Sequence, residues 1–275
     1  MRRLRLASVP LILAFLFPAA AFAAGVPFPV PPARRLDTPS AKDVTVCIAT
    51  EAVRDMRQFE ARPGSPDIPS LQSARIPQNR CVGRNRNLYG KALDNILIDG
   101  NQTVEGLVAD SLAAALAGMG FTVVRDKDRA PADAWQVEIL VDRLWGWMDV
   151  PQGRIFLDET DSQMVGGMET RINVTPPGGR PATLTATGEG RCNLGVRWGA
   201  AWQKMMTLML QSYMNRAQSR FAELDFAAPD ETAEAVAPPP VDAKEQLRKI
   251  EELRDEQLIT EEEYRQKRQE ILDRL

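Results

Sequence analysis

The sequence predicts an α+β fold: a small, mostly antiparallel sheet with two packed helices, plus a C-terminal two-helix hairpin. Three observations predict it. Residues 43–50 alternate Val44, Val46 and Ile48 on one face, the period of a half-buried strand. Residues 103–119 and 198–224 carry large apolar side chains at helical spacing, and two such helices against one sheet face make an economical core. Residues 242–275 repeat the helical period in two short stretches.

In chain order, the first 24 residues read as an export signal. Arg2, Arg3 and Arg5 form a basic start, Leu11 to Phe17 an apolar stretch, and Ala21-Phe22-Ala23 a small-x-small site that places cleavage near Ala23 or Ala24. The apolar run of 15 residues contains Pro18 and falls short of the roughly 20 that a spanning helix needs. No Cys follows it to carry an acyl chain, so the expected location is the periplasm or the exterior, with any envelope association peripheral. Residues 25–40 hold five prolines and are expected to be an extended lead-in rather than packed structure.

The core is expected over residues 41–226. After the first strand, Val104, Leu107, Val108, Leu112, Ala115, Leu116 and Met119 stripe a helix that stops at Gly118-Met119-Gly120, before a short strand at 121–124. Further strands are expected at 135–148, 164–175 and 182–190, the last two joined through Pro176-Pro177-Gly178-Gly179. Trp198, Trp202, Met205, Met209, Tyr213, Ala217, Phe221 and Leu224 line one side of the closing helix, a stripe that reads as core rather than as a ligand box. Residues 227–241, rich in Ala, Pro and acid, read as a stiff linker with Pro238-Pro239-Pro240 in polyproline II.

Composition excludes more than it selects. The 275 residues include no His, which removes the commonest general base, the commonest zinc ligand and every Ser-His or Cys-His nucleophile pair. The first 24 residues carry three bases and no acid, residues 227–275 carry 14 acids against eight bases, and residues 25–226 balance at 23 against 23. A neutral core lacks the electrostatic footprint of a nucleic-acid binder.

Val53-Arg54-Asp55-Met56-Arg57, then Gly83-Arg84-Asn85-Arg86-Asn87-Leu88-Tyr89-Gly90, then a helix ending in Gly120-Phe121-Thr122-Val123-Val124, resemble the YajG-like family of bacterial envelope lipoproteins over about 180 residues. The resemblance implies a sheet-and-two-helix module with no established catalytic residues, although this chain lacks the lipidated Cys. In the tail, Glu245-Gln246-Leu247-Arg248-Lys249-Ile250-Glu251-Glu252-Leu253-Arg254-Asp255, Leu258-Ile259-Thr260-Glu261-Glu262-Glu263-Tyr264 and the run from Lys267 to Leu275 resemble the short C-terminal domain called SHOCT, with Gln257 where that family usually has Gly. The residues give the same shape independently. Leu247, Ile250 and Leu253 stripe a first helix; Thr260 and Glu263 form a capping box, and Ile259 and Tyr264 a hydrophobic staple, for a second whose face is completed by Ile271, Leu272 and Leu275. A hairpin of about 30 residues buries too little to stand alone, so this face is expected to mediate self-association or docking.

Candidate chemistry is sparse. Gly188-Glu189-Gly190 lacks the third glycine of a dinucleotide fingerprint, Asn193 standing there, and reads as strand-to-loop glycines. Asp158, Glu159 and Asp161 lack the spacing of a calcium loop and read as a polar turn. Arg75, Arg80, Arg84, Arg86 and Lys91, with no acid among them and Asn79, Asn85, Asn87 and Tyr89 interleaved, form a candidate loop for anionic lipid, lipopolysaccharide phosphate or peptidoglycan carboxylate, or else pair with acids of the core. Of three cysteines, Cys81 and Cys192 in glycine-flanked connections are favoured for a disulfide over a bond from Cys47 or none. No catalytic, cofactor or metal residue is expected. The reading is a non-catalytic exported envelope protein, a binding or assembly module with a protein partner or itself as the tail's target and no nucleic acid. The alternatives are an accessory of an envelope transport system, a peptidoglycan- or lipid-facing binder, and a periplasmic enzyme working with carboxylates, Ser or Lys.

Overall fold

The computed structural model describes residues 25–36, 38, 41–87, 91–149, 162–193, 198–224 and 226, with 264, 265, 268 and 269 of the tail. The chain divides into two units, Met1–Phe226 and Ala227–Leu275. Within the first, the strands are β1 (Thr45–Cys47), β2 (Val53–Asp55), β3 (Cys81–Arg86), β4 (Ala92–Leu97), β5 (Thr122–Val124), β6 (Trp135–Asp149), β7 (Gln163–Thr175) and β8 (Ala182–Asn193), and the helices are α1 (Val104–Met119) and α2 (Trp198–Ala222).

All eight strands belong to one curled sheet, a half-barrel organised around β6. One edge of β6 pairs along its length with antiparallel β7, which pairs in turn with β8. The other edge is shared by three short strands, each parallel to it: β1 at Trp135 and Gln136, β2 from Ile139 to Val141, and β3 at Gly146 and Trp147. Strand β5 extends the sheet beyond β1, and β4 extends it beyond β3. This corrects the expected small, mostly antiparallel sheet. Among the described residues, four pairings are parallel and three antiparallel, because β1, β2 and β3 each dock in parallel on β6 and β5 does the same on β1.

Strand β6 changes face midway. Val137, Ile139 and Val141 point inward, a bulge falls at Asp142, and then Leu144, Gly146 and Met148 point inward. One extra residue reverses the alternation, so Trp145 and Trp147 lie on the outer face. Trp145 is nonetheless fully buried, because the segment after β2 folds over it: Phe59 meets its ring edge-on at 6.0 Å and the Pro66 carbonyl accepts its indole N–H at 3.2 Å.

Both helices contribute to one apolar cluster with the inward strand residues. Helix α1 starts at Thr103, whose hydroxyl accepts from the Gly106 N–H at 3.2 Å, and ends at Gly120 in the left-handed region, φ 101°. Helix α2 lies on a floor of glycines. Gly83, Gly146, Gly166 and Gly190 are cross-strand neighbours in succession through β3, β6, β7 and β8. A Cβ on Gly190 would overlap the Met205 carbonyl, one on Gly188 the Met209 carbonyl, and one on Gly83 or Gly146 the Trp202 ring. Gly188 and Gly190 are therefore strand residues beneath a helix rather than loop glycines.

The proline-rich lead-in is extended, but it packs, contrary to expectation. Val26 bridges to Ile98, Phe28 is buried, the Arg34 carbonyl accepts from Gln218 at 2.8 Å, and the Leu36 N–H donates to the Gly118 carbonyl at 2.8 Å. In the tail, residues 264–265 and 268–269 are helical and Tyr264 is buried. Leu247, Ile250, Leu253, Ile259, Ile271, Leu272 and Leu275 lie outside the described residues, as do the signal segment, the linker, Tyr89, and Asp158, Glu159 and Asp161.

Candidate interaction surface

The basic segment 75–91 is not a loop. Gln78–Arg80 form a 3-10 turn and Cys81–Arg86 form β3, which makes a hairpin with β4, closed where Asn87 N–H donates to the Lys91 carbonyl at 3.0 Å and Lys91 N–H donates to the Asn87 side chain at 2.9 Å. Strand β4 is the last strand at this side of the sheet. Gly83 and Asn85 face α2, since Trp202 packs on the first and donates its indole N–H to the second at 3.0 Å. Alternation therefore sends Arg84 and Arg86 to the opposite face, and the turn closure holds exposed Lys91 beside them.

Arg84 is anchored by neutral oxygens: its Nε donates to the Leu93 carbonyl at 3.1 Å and its Nη1 to the Ser70 hydroxyl at 3.1 Å. Burial, and then the neighbouring charge of Arg84, lower the pKa of Arg86. Arg80 is spent at the far end of the hairpin, where its Nη2 donates to the Ile98 carbonyl at 2.8 Å. Arg75 is exposed on the preceding segment, and its backbone N–H is held by Ser73. The five expected cations thus separate into a distal group, Arg84, Arg86 and Lys91, and two residues placed elsewhere. Leu93, 39% exposed on β4, adds an apolar neighbour that the charge pattern did not reveal.

Beneath the hairpin's start sits the buried guanidinium of Arg57, a residue whose role no sequence pattern marks. Arg57 donates through Nε and Nη2 to the two oxygens of Asp55 at 2.8 and 2.7 Å, through Nη1 to the carbonyls of Cys81 and Leu144, and through Nη2 to that of Gln78. Its side chain is fully buried and stacks over Phe59 at 5.1 Å. The bidentate geometry and neutral acceptors make it a clasp between β2, the start of β3 and β6. The sequence shows only an Asp and an Arg two apart in extended chain.

The three thiols are free and buried, which corrects the expected Cys81–Cys192 bond. Strands β6 and β7 lie between β3 and β8, three strand spacings or roughly 14 Å along the sheet, well beyond the about 7 Å that a disulfide spans. Burial pushes the Cys81 thiol up to about 11 and raises those of Cys47 and Cys192, so all three are poor nucleophiles near neutrality.

Two concavities stand out among the described residues. The larger, about 980 Å³, lies between residues 30–36 and α1, with Ala114, Ala117 and Gly118 on its wall and Arg35 and Asp110 among its lining residues. Asp110 is paired with Arg125 at 2.6 Å. The smaller, about 170 Å³, holds Glu51, Lys127, Glu138 and Asn173. A hydrogen bond from Asn173 at 2.7 Å, against a smaller opposing effect of burial and reinforced by Arg54, lowers the pKa of Glu138. A carboxylate held ionised is ill-suited to general acid–base work at neutral pH. Among the described residues, no group of three His, Cys, Asp or Glu is placed to hold a metal ion, and no helix is long and apolar enough to cross a membrane.

No family model matches the chain, and no curated protein matches it. Among solved structures, an uncharacterized protein matches 71% of this chain and 95% of its own, at 12% identity and a TM-score of 0.34. Protein XCC0632 from Xanthomonas campestris, of family DUF330, matches 70% of this chain and 94% of its own, at 14% identity and a TM-score of 0.36. Neither likeness supplies a function.

Proposed function

We propose that this chain is an exported, non-catalytic envelope protein that works by binding, through the β3–β4 hairpin and through its C-terminal segment. The observation that carries the reading is the distal hairpin. Arg84 donates to a carbonyl and a hydroxyl, Lys91 is exposed, and among the described residues no carboxylate is paired with either. The interior offers the chemistry of packing instead: the helix stripe lies on glycines, the thiols are protonated, and Glu138 is held ionised. The export pattern in the first 24 residues and the resemblances to YajG-like and SHOCT proteins support the compartment and the role of the tail.

Fractionation tests the first part: the account expects a chain beginning near Ala24 or Gly25 outside the cytosol, and an intact Met1 terminus in the cytosol contradicts it. For the tail, truncation after Pro240 or Leu253→Asp is expected to lower the mass measured by light scattering or the yield of envelope partners after cross-linking. Unchanged mass and unchanged partners remove the tail from the account. The accessory role in an envelope transport system is the second reading; recovery of transporter subunits among the cross-linked partners favours it.

A further inference from the structure

We infer that Arg84, Arg86 and Lys91 form a contact site for the phosphate groups of anionic lipid headgroups at a membrane surface. The inference names the ligand of the hairpin proposed above and rests on that reading. Arg84 and Arg86 are two residues apart on one face of β3, roughly 7 Å along an extended strand, a separation that suits two neighbouring headgroups. Arginine presents a planar fork that matches phosphate oxygens, and Arg84 is oriented in advance by Ser70, itself buried, and by the Leu93 carbonyl. Lys91 is fixed beside them by the closure at Asn87. Position matters as much as charge. The hairpin lies at the edge of the sheet, with both arginines on the face away from α2, where Ser70 packs against Arg84, and with Lys91 exposed at its distal end. Exposed Leu93 beside the cations supplies the apolar contact expected at a headgroup boundary.

The test is co-sedimentation of the purified full chain with phosphatidylcholine vesicles containing phosphatidylglycerol. Each basic residue near an anionic surface contributes about fivefold to binding, so Arg84→Gln with Arg86→Gln and Lys91→Gln should weaken it on the order of a hundredfold. Arg86→Gln with Lys91→Gln, which leaves the Arg84 hydrogen bonds in place, should weaken it by roughly 25-fold, and Arg171→Gln should leave it unchanged. Thermal melting checks that each variant is folded. Failure of the native chain to bind these vesicles overturns the proposal, as does undiminished binding by the folded double variant. Three controls define the ligand. Equal binding to phosphatidylcholine alone removes the charge, equal binding to vesicles charged by fatty-acid carboxylates removes the phosphate, and displacement by glycerol phosphate at the same phosphate concentration assigns the site to a soluble phosphate instead of a surface. Purified protein answers this regardless of compartment. A negative vesicle result leaves the export test standing, and a cytosolic chain overturns the envelope reading without altering the vesicle result.

Discussion

The seat of α2 and the β3–β4 hairpin share strand β3, yet opposite faces of that strand are built for opposite ends. On the inner face, Gly83 continues a row of glycines through Gly146, Gly166 and Gly190, and α2 comes close enough that side chains are excluded. On the outer face, Arg84 and Arg86 carry charge, and Arg84 is held by the Leu93 carbonyl and the Ser70 hydroxyl. Alternation lets one strand do both. The difference teaches where substitutions should matter: the inner face is limited by volume and the outer face by charge.

The largest effect is expected at Gly190→Val. Its side chain would meet the Met205 carbonyl, helix backbone that cannot rotate away, so urea denaturation should show a loss of about 3 kcal/mol or more. Unchanged stability would mean that α2 does not sit on this floor. Arg57→Ala comes next in certainty of cause, since it strands the Asp55 carboxylate and three carbonyl acceptors at the root of the hairpin. Breaking a buried, hydrogen-bonded pair costs about 3 to 5 kcal/mol, and the same denaturation experiment measures it.

A smaller and pH-dependent effect belongs to Tyr213, whose hydroxyl accepts from Thr170 at 3.3 Å within the α2 seat. Burial pushes this phenol from its ordinary 10 up to about 12. The folded state holds the proton more tightly than the unfolded one, so the associated stability is present below pH 10 and is lost as pH rises toward 12. Tyr213→Phe should lower stability by about 1 kcal/mol at neutral pH through the lost hydrogen bond and flatten the alkaline decline. A decline equally steep in the variant assigns it to other groups. The smallest effect is expected at Lys91→Gln, an exposed position where stability should change by no more than about 0.5 kcal/mol while vesicle binding falls. A large loss of stability would move Lys91 from the binding side of the comparison to the folding side.

How much of this was legible in the sequence follows the same division. Apolar periodicity located the helix at 103–119, observed as Val104–Met119, and the helix at 198–224, observed as Trp198–Ala222. It also located the long strands, because each buries a regular face over many residues. What it missed was set by partners distant in sequence. Segments of three residues such as Val53–Asp55 carry no period of their own and become strands only by pairing with β6, so β2 was not legible, and neither was the parallel pairing of β1 and β5, whose strands the pattern does locate. The hairpin was read as a loop because Gly83, Asn85 and Asn87 are poor strand formers in isolation, whereas Trp202 is what requires Gly83 and Asn85 there. Gly188 and Gly190 read as the end of a strand entering a loop, whereas β8 continues through them to Asn193 beneath α2. In the candidate site, the charge run named Arg84, Arg86 and Lys91 but could not separate them from Arg75 and Arg80. Only the strand alternation and the closure at Asn87 do that.

Hydrogen exchange of the full chain, with and without vesicles containing phosphatidylglycerol, tests the central claim most directly, because one experiment reads both faces of β3's surroundings. The account predicts added protection confined to the described hairpin amides, Arg84 to Asn87 and Lys91 to Leu93, with α2 amides protected equally in both samples. Protection gained across α2 while the hairpin amides stay unchanged would contradict it.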